Sequence, residues 1–138
     1  MGWQTLRDSI PTVVMQMAAA AVHMMAITGL GATLGPLYTA LAAAILLAAP
    51  MTAVLAMLAG YTRLGTALFA AFFMASAGLL LYGYLGEGHL LMALRAAASP
   101  WKSLFFITAV LLPLLQVTGI IEAARSLFPQ HLIQITEE

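Results

Sequence analysis

Four long runs of mostly apolar residues divide the chain. They extend over residues 10–31, 37–59, 64–85 and 101–121. Each run has about the 20 residues that an α-helix needs to cross a hydrocarbon core roughly 30 Å thick. The pattern therefore predicts an all-α protein. We expect a single integral membrane domain, residues 1–138, in which the four spans form an antiparallel transmembrane bundle followed by a polar tail over residues 126–138.

Breaks in the apolar pattern predict where the helices begin and end. Ser9 or Asp8 is expected to cap the first helix, with Pro11 in its first turn, where a missing N–H has no cost. Gly31 and Pro36 lie in a segment that suits a tight turn between the first two spans. We therefore expect the first helix to start close to residue 10.

A short helix is predicted between the third and fourth spans. The segment HLLMALRAA, residues 89–97, carries leucines at helical spacing, with His89 and Arg95 available to face water. Such a segment is typical of a helix that lies in the membrane interface. His89 is accordingly expected to be solvated.

Small residues recur at every fourth position of the second span. Small side chains at this spacing allow two membrane helices to approach closely. Four residues advance about 40° beyond one α-helical turn, so a straight helix cannot present them all to one partner. Either successive sets contact different neighbours, or the helix bends at Pro50; Pro113 predicts a similar kink in the fourth helix. The predicted packing face consists of Ala40, Ala44, Ala48, Thr52, Ala56 and Gly60.

Composition supports the membrane assignment. The chain is 63% hydrophobic and 7% charged, against about 45–50% and about 25% in soluble domains. The net charge is zero and the basic residues are scattered, which excludes nucleic acid as a partner. The absence of cysteine removes disulfides and thiolate chemistry. We therefore expect the lipid bilayer and other transmembrane helices as the partners.

The distribution of arginine and lysine predicts the orientation. Arg7, Arg63 and Arg125 fall on the side of the membrane that holds both termini, whereas Arg95 and Lys102 fall on the other side. Cytoplasmic loops carry the excess of basic residues. This small majority favours cytoplasmic termini, in what we expect to be a bacterial inner membrane.

Polar residues inside the first and fourth spans are the candidate functional residues. Thr12, Gln16 and His23 share one stripe of the first helix, because positions seven apart differ by only about 20°. Thr108 and Gln116 lie on a comparable face of the fourth helix. We expect Gln116 to hydrogen bond to Gln16 or His23, because unpaired polar groups are costly in hydrocarbon. Such contacts stabilise helix packing by about 0.6–2 kcal/mol each.

An ionisable residue within a membrane span is also a functional candidate. In one alternative, His23, Gln16 and Gln116 line a path for a proton or small solute in an oligomer. In another, His23 binds haem or quinone. The other histidines, His89 in the loop and His131 in the tail, do not match its depth, so a second haem ligand would come from another chain of an oligomer.

Copper is the third ligand considered. The thioethers of Met17 and Met24, together with the imidazole of His23, suit Cu(I). Other methionines of the helix point elsewhere, and methionine is a common filler of irregular packing. The sequence therefore predicts no bound cofactor, and it leaves these residues as weak metal candidates only.

No catalytic motif is recognisable, so an enzyme is not expected. Glu122 and Arg125 share a helical face at the membrane edge and are expected to form a surface ion pair. The leading hypothesis is a non-enzymatic accessory, assembly or scaffold subunit that binds other helices through its small-residue face. The rival hypothesis is a small oligomeric transporter or channel.

Overall fold

In a computed structural model of the protein, four helices are long and apolar enough to cross a membrane. The structure describes residues 2–128, with side chains from residue 7 onward. That part of the chain is all-helical and contains no strand, which confirms the predicted all-α class. From residue 129 the predicted polar tail, including His131, lies outside the described residues. The four spans are Arg7–Gly29, Pro36–Leu58, Thr62–Gly86 and Pro100–Leu127.

Six α-helices and two π-helical turns build these spans and their connections. The second span combines α2, a π-helical turn and α3, and the third span combines α4 with a second π-helical turn. In chain order the elements are α1 (Gly2–Gly29), α2 (Pro36–Ala43), the turn Ala44–Ala48, α3 (Ala49–Leu58), α4 (Thr62–Leu81), the turn Tyr82–Gly86, α5 (His89–Arg95) and α6 (Pro100–Leu127).

The first helix starts earlier than the sequence suggested. It already includes Gly2, and Pro11 lies inside it, so the predicted cap at Ser9 or Asp8 is wrong. A proline removes one backbone hydrogen bond and crowds the carbonyl of the residue four positions before it. The many other hydrogen bonds of a 28-residue helix outweigh that local loss. Ser9 is instead buried on the packed face of α1.

Two glycines end helices in the left-handed conformation. Gly31 has φ +95° and Gly60 has φ +92°. At the first of these ends, the Ala32 N–H donates to the Ile27 carbonyl and the Gly31 N–H to the Thr28 carbonyl. This pair of bonds is the Schellman motif, which satisfies carbonyls left free by the helix end. Gly60 therefore terminates α3, although the sequence pattern assigned it to a packing face.

The helices pack in a definite order. The most extensive contacts are those of α1 with α6, of α6 with α4, and of α4 with α3, whereas α1 makes few contacts with α3. Two glycines allow close approach: a methyl group on Gly65 would overlap Met57, and one on Gly119 would overlap the ring of Phe73. Between the first and second spans a wide apolar groove remains, with a cavity volume of about 610 Å³ near Leu47.

The predicted packing face of the second span points outward. Its members Ala40, Ala44, Ala48, Thr52 and Gly60 are exposed, and Ala56 is half-buried. A four-residue step overshoots one α-helical turn, but the π-helical turn at Ala44–Ala48 holds more residues per turn and counteracts this drift. The small residues consequently stay on the outside of the packed helices.

The two membrane prolines occupy different settings. Pro50 is buried and directly follows the π-helical turn, so the local irregularity of the second span lies just before it. A π-turn next to a proline is a recognised cause of helix bending. Pro113 is exposed, and α6 is one uninterrupted α-helix across it.

Candidate functional site

Buried polar side chains line up where α1, α4 and α6 meet. We call this set the polar seam: Thr12, Gln16 and His23 of α1, Ser76 of α4, and Thr108, Gln116 and Glu122 of α6. All but Glu122 are buried, and Glu122 is half-buried. All five residues that the sequence singled out as a polar cluster therefore lie along one seam of a single chain.

His23 is fixed by a hydrogen bond between spans. Its Nδ1 lies 2.7 Å from the Thr108 Oγ1. The Thr108 hydroxyl also approaches two backbone carbonyls, at 2.7 Å from Leu104 O and 3.0 Å from Phe105 O. A hydroxyl has one proton, and the two nearby carbonyls favour its donation to one of them, so towards His23 we assign it the role of acceptor. The neutral imidazole therefore carries its proton on Nδ1, which leaves Nε2 as an acceptor.

Aromatic rings hold the imidazole in place. The ring of Phe105 lies 4.7 Å from that of His23, centroid to centroid, and the ring of Tyr84 lies 5.7 Å away in an edge-on arrangement. Phe105 is fully buried. Together, the rings of Tyr84 and Phe105 form part of the wall around His23.

The middle of the polar seam encloses a small cavity. Its volume is about 20 Å³, and Gln16, His23, Ser76 and Gln116 all line it. The expected hydrogen bond from Gln116 to Gln16 or His23 is not formed between these described residues. Instead, Gln16 Oε1, His23 Nε2 and Ser76 Oγ are buried without a hydrogen-bond partner in the described part of the chain. Buried polar atoms are usually paired, so these three atoms need an explanation.

One end of the polar seam carries a carboxylate. The Thr12 hydroxyl lies 3.0 Å and 3.2 Å from the two carboxylate oxygens of Glu122 and donates to this carboxylate. The predicted ion pair of Glu122 with Arg125 is not formed. Among the residues described, the ion pair found within 4 Å joins Arg7 to Asp8, on the exposed surface of α1. Glu122 turns inward because Thr12 offers it a donor beside the buried glutamines.

A second carboxylate, that of Glu87, lies on the Tyr38 side of the cavity. Tyr38 lines the cavity and packs edge-on against His89, with ring centroids 5.2 Å apart. Glu87 accepts a hydrogen bond from Tyr82 Oη at 3.0 Å. The expectation that His89 faces water is wrong, because it is buried against Tyr38. Burial lowers the pKa of His89, and the negative charge of Glu87 partly opposes this shift.

Copper, haem and quinone each need particular side chains and space around His23. No group of three metal-binding His, Asp or Glu side chains occurs within residues 2–128. Met24 lines the same cavity as His23, whereas Met17 is half-buried and does not line it. A cavity of about 20 Å³ is far below the roughly 150 Å³ that holds a benzene ring. Haem and quinone therefore do not fit this cavity, and Met24 is the one of the two candidate thioethers that lies beside it.

Four residues in or near the candidate site were not recognised from the sequence. Ser76 stands among small residues of the third span, and Tyr38 stands near the start of the second span. Glu122 and His89 were taken for surface groups. The signal that could have identified Glu122 is its spacing of three residues from Gly119, which lies three residues from Gln116, because residues three apart are neighbours on a helix. Comparison of the chain with protein-family models, with curated proteins and with solved structures finds no match to any of them.

Proposed function

We propose that this is a non-enzymatic integral membrane protein that transfers protons across the bilayer along the polar seam. The observation that carries the proposal is the polar seam itself, in which Thr12 donates to the Glu122 carboxylate at one end and His23, Gln16, Ser76 and Gln116 line one cavity. Polar and ionisable residues inside a membrane are costly and mark ion or proton routes in many proteins. All residues of the polar seam belong to one chain, so the proposed path itself requires no oligomer.

The chemistry of His23 supports protons as the transported species. Its Nε2 is a free acceptor, and it can take up a proton and release it again without any change of fold. The cavity beside it has room for a water molecule but not for an organic solute. Gln16, Gln116 and Ser76 supply hydrogen-bonding groups on either side of the imidazole.

The membrane arrangement is part of the same proposal. The four spans form an antiparallel bundle, with α5 in the interface between the third and fourth spans. Arg95, at the end of α5, is exposed, and Lys102 Nζ donates to the Ala96 carbonyl at 2.7 Å. Basic residues at this level suit lipid headgroups. The basic residues near the termini favour a bacterial inner membrane with both termini in the cytoplasm.

Proton flux in liposomes tests the proposal. Purified protein is reconstituted with a pH-sensitive dye inside the vesicles, and a potassium gradient with valinomycin supplies the driving voltage. We expect His23→Leu to reduce the flux to the leak of protein-free vesicles. Met25→Leu is the matched control, because Met25 is two positions further along α1 and 58% exposed. Normal flux through folded His23→Leu protein would exclude the proposal.

Assembly with other transmembrane helices is the second candidate function. The observation that favours it is the exposed row of small residues on the second span, where Ala44 and Ala48 face outward. Such a row lets a partner helix, from another copy or a larger complex, approach closely. We expect Ala44→Leu to disrupt a native assembly in mass spectrometry of gently solubilised protein. Val110→Leu, at an exposed position of α6, is the control, and unchanged assembly in Ala44→Leu would exclude this role.

A further inference from the structure

We infer that the cavity in the polar seam is a binding site for a single water molecule, held by His23, Gln16 and Ser76. The inference extends the proposed function, on which the role of this water in proton transfer rests. Its existence rests only on the geometry of the cavity. The two statements can therefore fail separately.

Volume selects the size of the ligand. The cavity measures about 20 Å³, and one water molecule needs roughly 10–15 Å³. Leucines form much of the remaining wall, including Leu79, Leu80 and Leu112. The polar atoms are thus gathered at one place, and a dry cavity would leave them unpaired in hydrocarbon. A buried water in such a place commonly makes about three hydrogen bonds.

Hydrogen-bonding capacity selects the kind of ligand. His23 Nε2 is an acceptor, because the Thr108 hydroxyl fixes the proton on Nδ1. Gln16 Oε1 is a second acceptor, and it has no partner among residues 2–128. The Ser76 hydroxyl has no partner there either and can donate. Water completes the set, because one molecule can donate to both acceptors and accept from the Ser76 hydroxyl.

The position of the water gives it a role in proton transfer. It lies beside the only nitrogen of His23 that can take up a proton while the bond to Thr108 is kept. A proton passed to His23 from this water leaves hydroxide in the cavity unless the water is reprotonated from the next group of the seam. Delivery to Nε2 and reprotonation of the water are thus coupled.

A high-resolution structure of the full chain in a lipid phase tests the inference. We expect one density peak at hydrogen-bonding distance, about 2.7–3.2 Å, from His23 Nε2, Gln16 Oε1 and Ser76 Oγ. We expect Ser76→Val to fill the cavity and remove the peak, whereas Ser103→Val, at an exposed position of α6, keeps it. An empty or collapsed cavity in the wild-type protein would overturn the inference.

Nitrogen-15 NMR of the histidine rings gives an independent readout that needs no variant. We expect His23 at neutral pH to show a protonated Nδ1 and an unprotonated Nε2. A proton on Nε2 in the neutral ring would overturn the role of this water in proton delivery, because Nε2 would then donate to the water and could not take up a proton from it. A bound water without proton flux would refute the proposed function alone, and flux without the water would refute this inference alone.

Discussion

Replacing Thr108 with valine tests how strongly His23 is held between two spans. The substitution keeps the shape of the side chain and removes the hydroxyl that accepts from His23 Nδ1 at 2.7 Å. The imidazole N–H is then buried without a partner. Thr118→Val is a matched control, because the exposed Thr118 also donates to the carbonyl four residues earlier but contacts no other side chain through a hydrogen bond in the described part of the chain.

The expected magnitude follows from the burial of this contact. A buried donor left unpaired costs about 1–3 kcal/mol, but hydrogen bonds between membrane helices average about 0.6 kcal/mol and reach about 1.7 kcal/mol at most. His23 is 2% exposed and Thr108 is 4% exposed, so water from the surface cannot replace the acceptor. We therefore expect a loss of about 1–2 kcal/mol for Thr108→Val and less than about 0.5 kcal/mol for Thr118→Val.

The assay is reversible unfolding in mixed micelles, in which a denaturing detergent is titrated and helix content is followed by circular dichroism. Both variants are compared with the wild type at neutral pH. The reasoning is refuted if Thr108→Val and Thr118→Val lose the same stability. It is also refuted if Thr108→Val leaves the proton of the neutral His23 ring on Nδ1, because the hydroxyl would then not determine the tautomer.

Two further predictions concern packing and pH. We expect Gly119→Ala to lower the free energy of unfolding by about 1–3 kcal/mol, because the new methyl group overlaps the buried ring of Phe73. In the control Gly78→Ala the new methyl group meets nothing within 4 Å, so this variant should be neutral or stabilising. Equal effects of the two variants in thermal unfolding would contradict this packing. Because burial lowers the pKa of His89 below its ordinary value of 6.5, the unfolded chain takes up a proton first, and we expect stability to be full above pH 6.5 and to fall below it. Tyr38 and Glu87 are the groups that act on the His89 ring. In His89→Gln the loss of stability on acidification should be smaller than in the wild type. Identical pH profiles of the two proteins would refute the claim that His89 causes this loss.

Much of the fold could be predicted because hydropathy and turn chemistry are local signals. The four spans follow from runs of apolar residues, and the ends at Gly31 and Gly60 follow from the conformational freedom of glycine. The start of α1 could not be predicted in this way. Local capping rules favour Ser9 or Asp8 as the start of the helix, but burial of Ser9 favours a helix that continues through Pro11.

The candidate site was only partly predictable, because it depends on which helices become neighbours. The stripe of Thr12, Gln16 and His23 follows from helical periodicity on α1 alone. That Thr12 pairs with Glu122, and that Ser76 completes the cavity, depends on the packing of α1 and α4 against α6. The small-residue row was predictable as a pattern, but its outward direction follows from the π-helical turn, for which the sequence has no simple signature.

The central claim is that protons cross the membrane through the polar seam of this protein. The most direct measurement is the proton conductance of wild-type protein in liposomes, compared with protein-free liposomes of the same lipids under the same voltage. The account predicts a conductance that rises with the amount of reconstituted protein and does not admit potassium or sodium. A conductance equal to that of the protein-free membrane, with the protein folded and inserted, would contradict it.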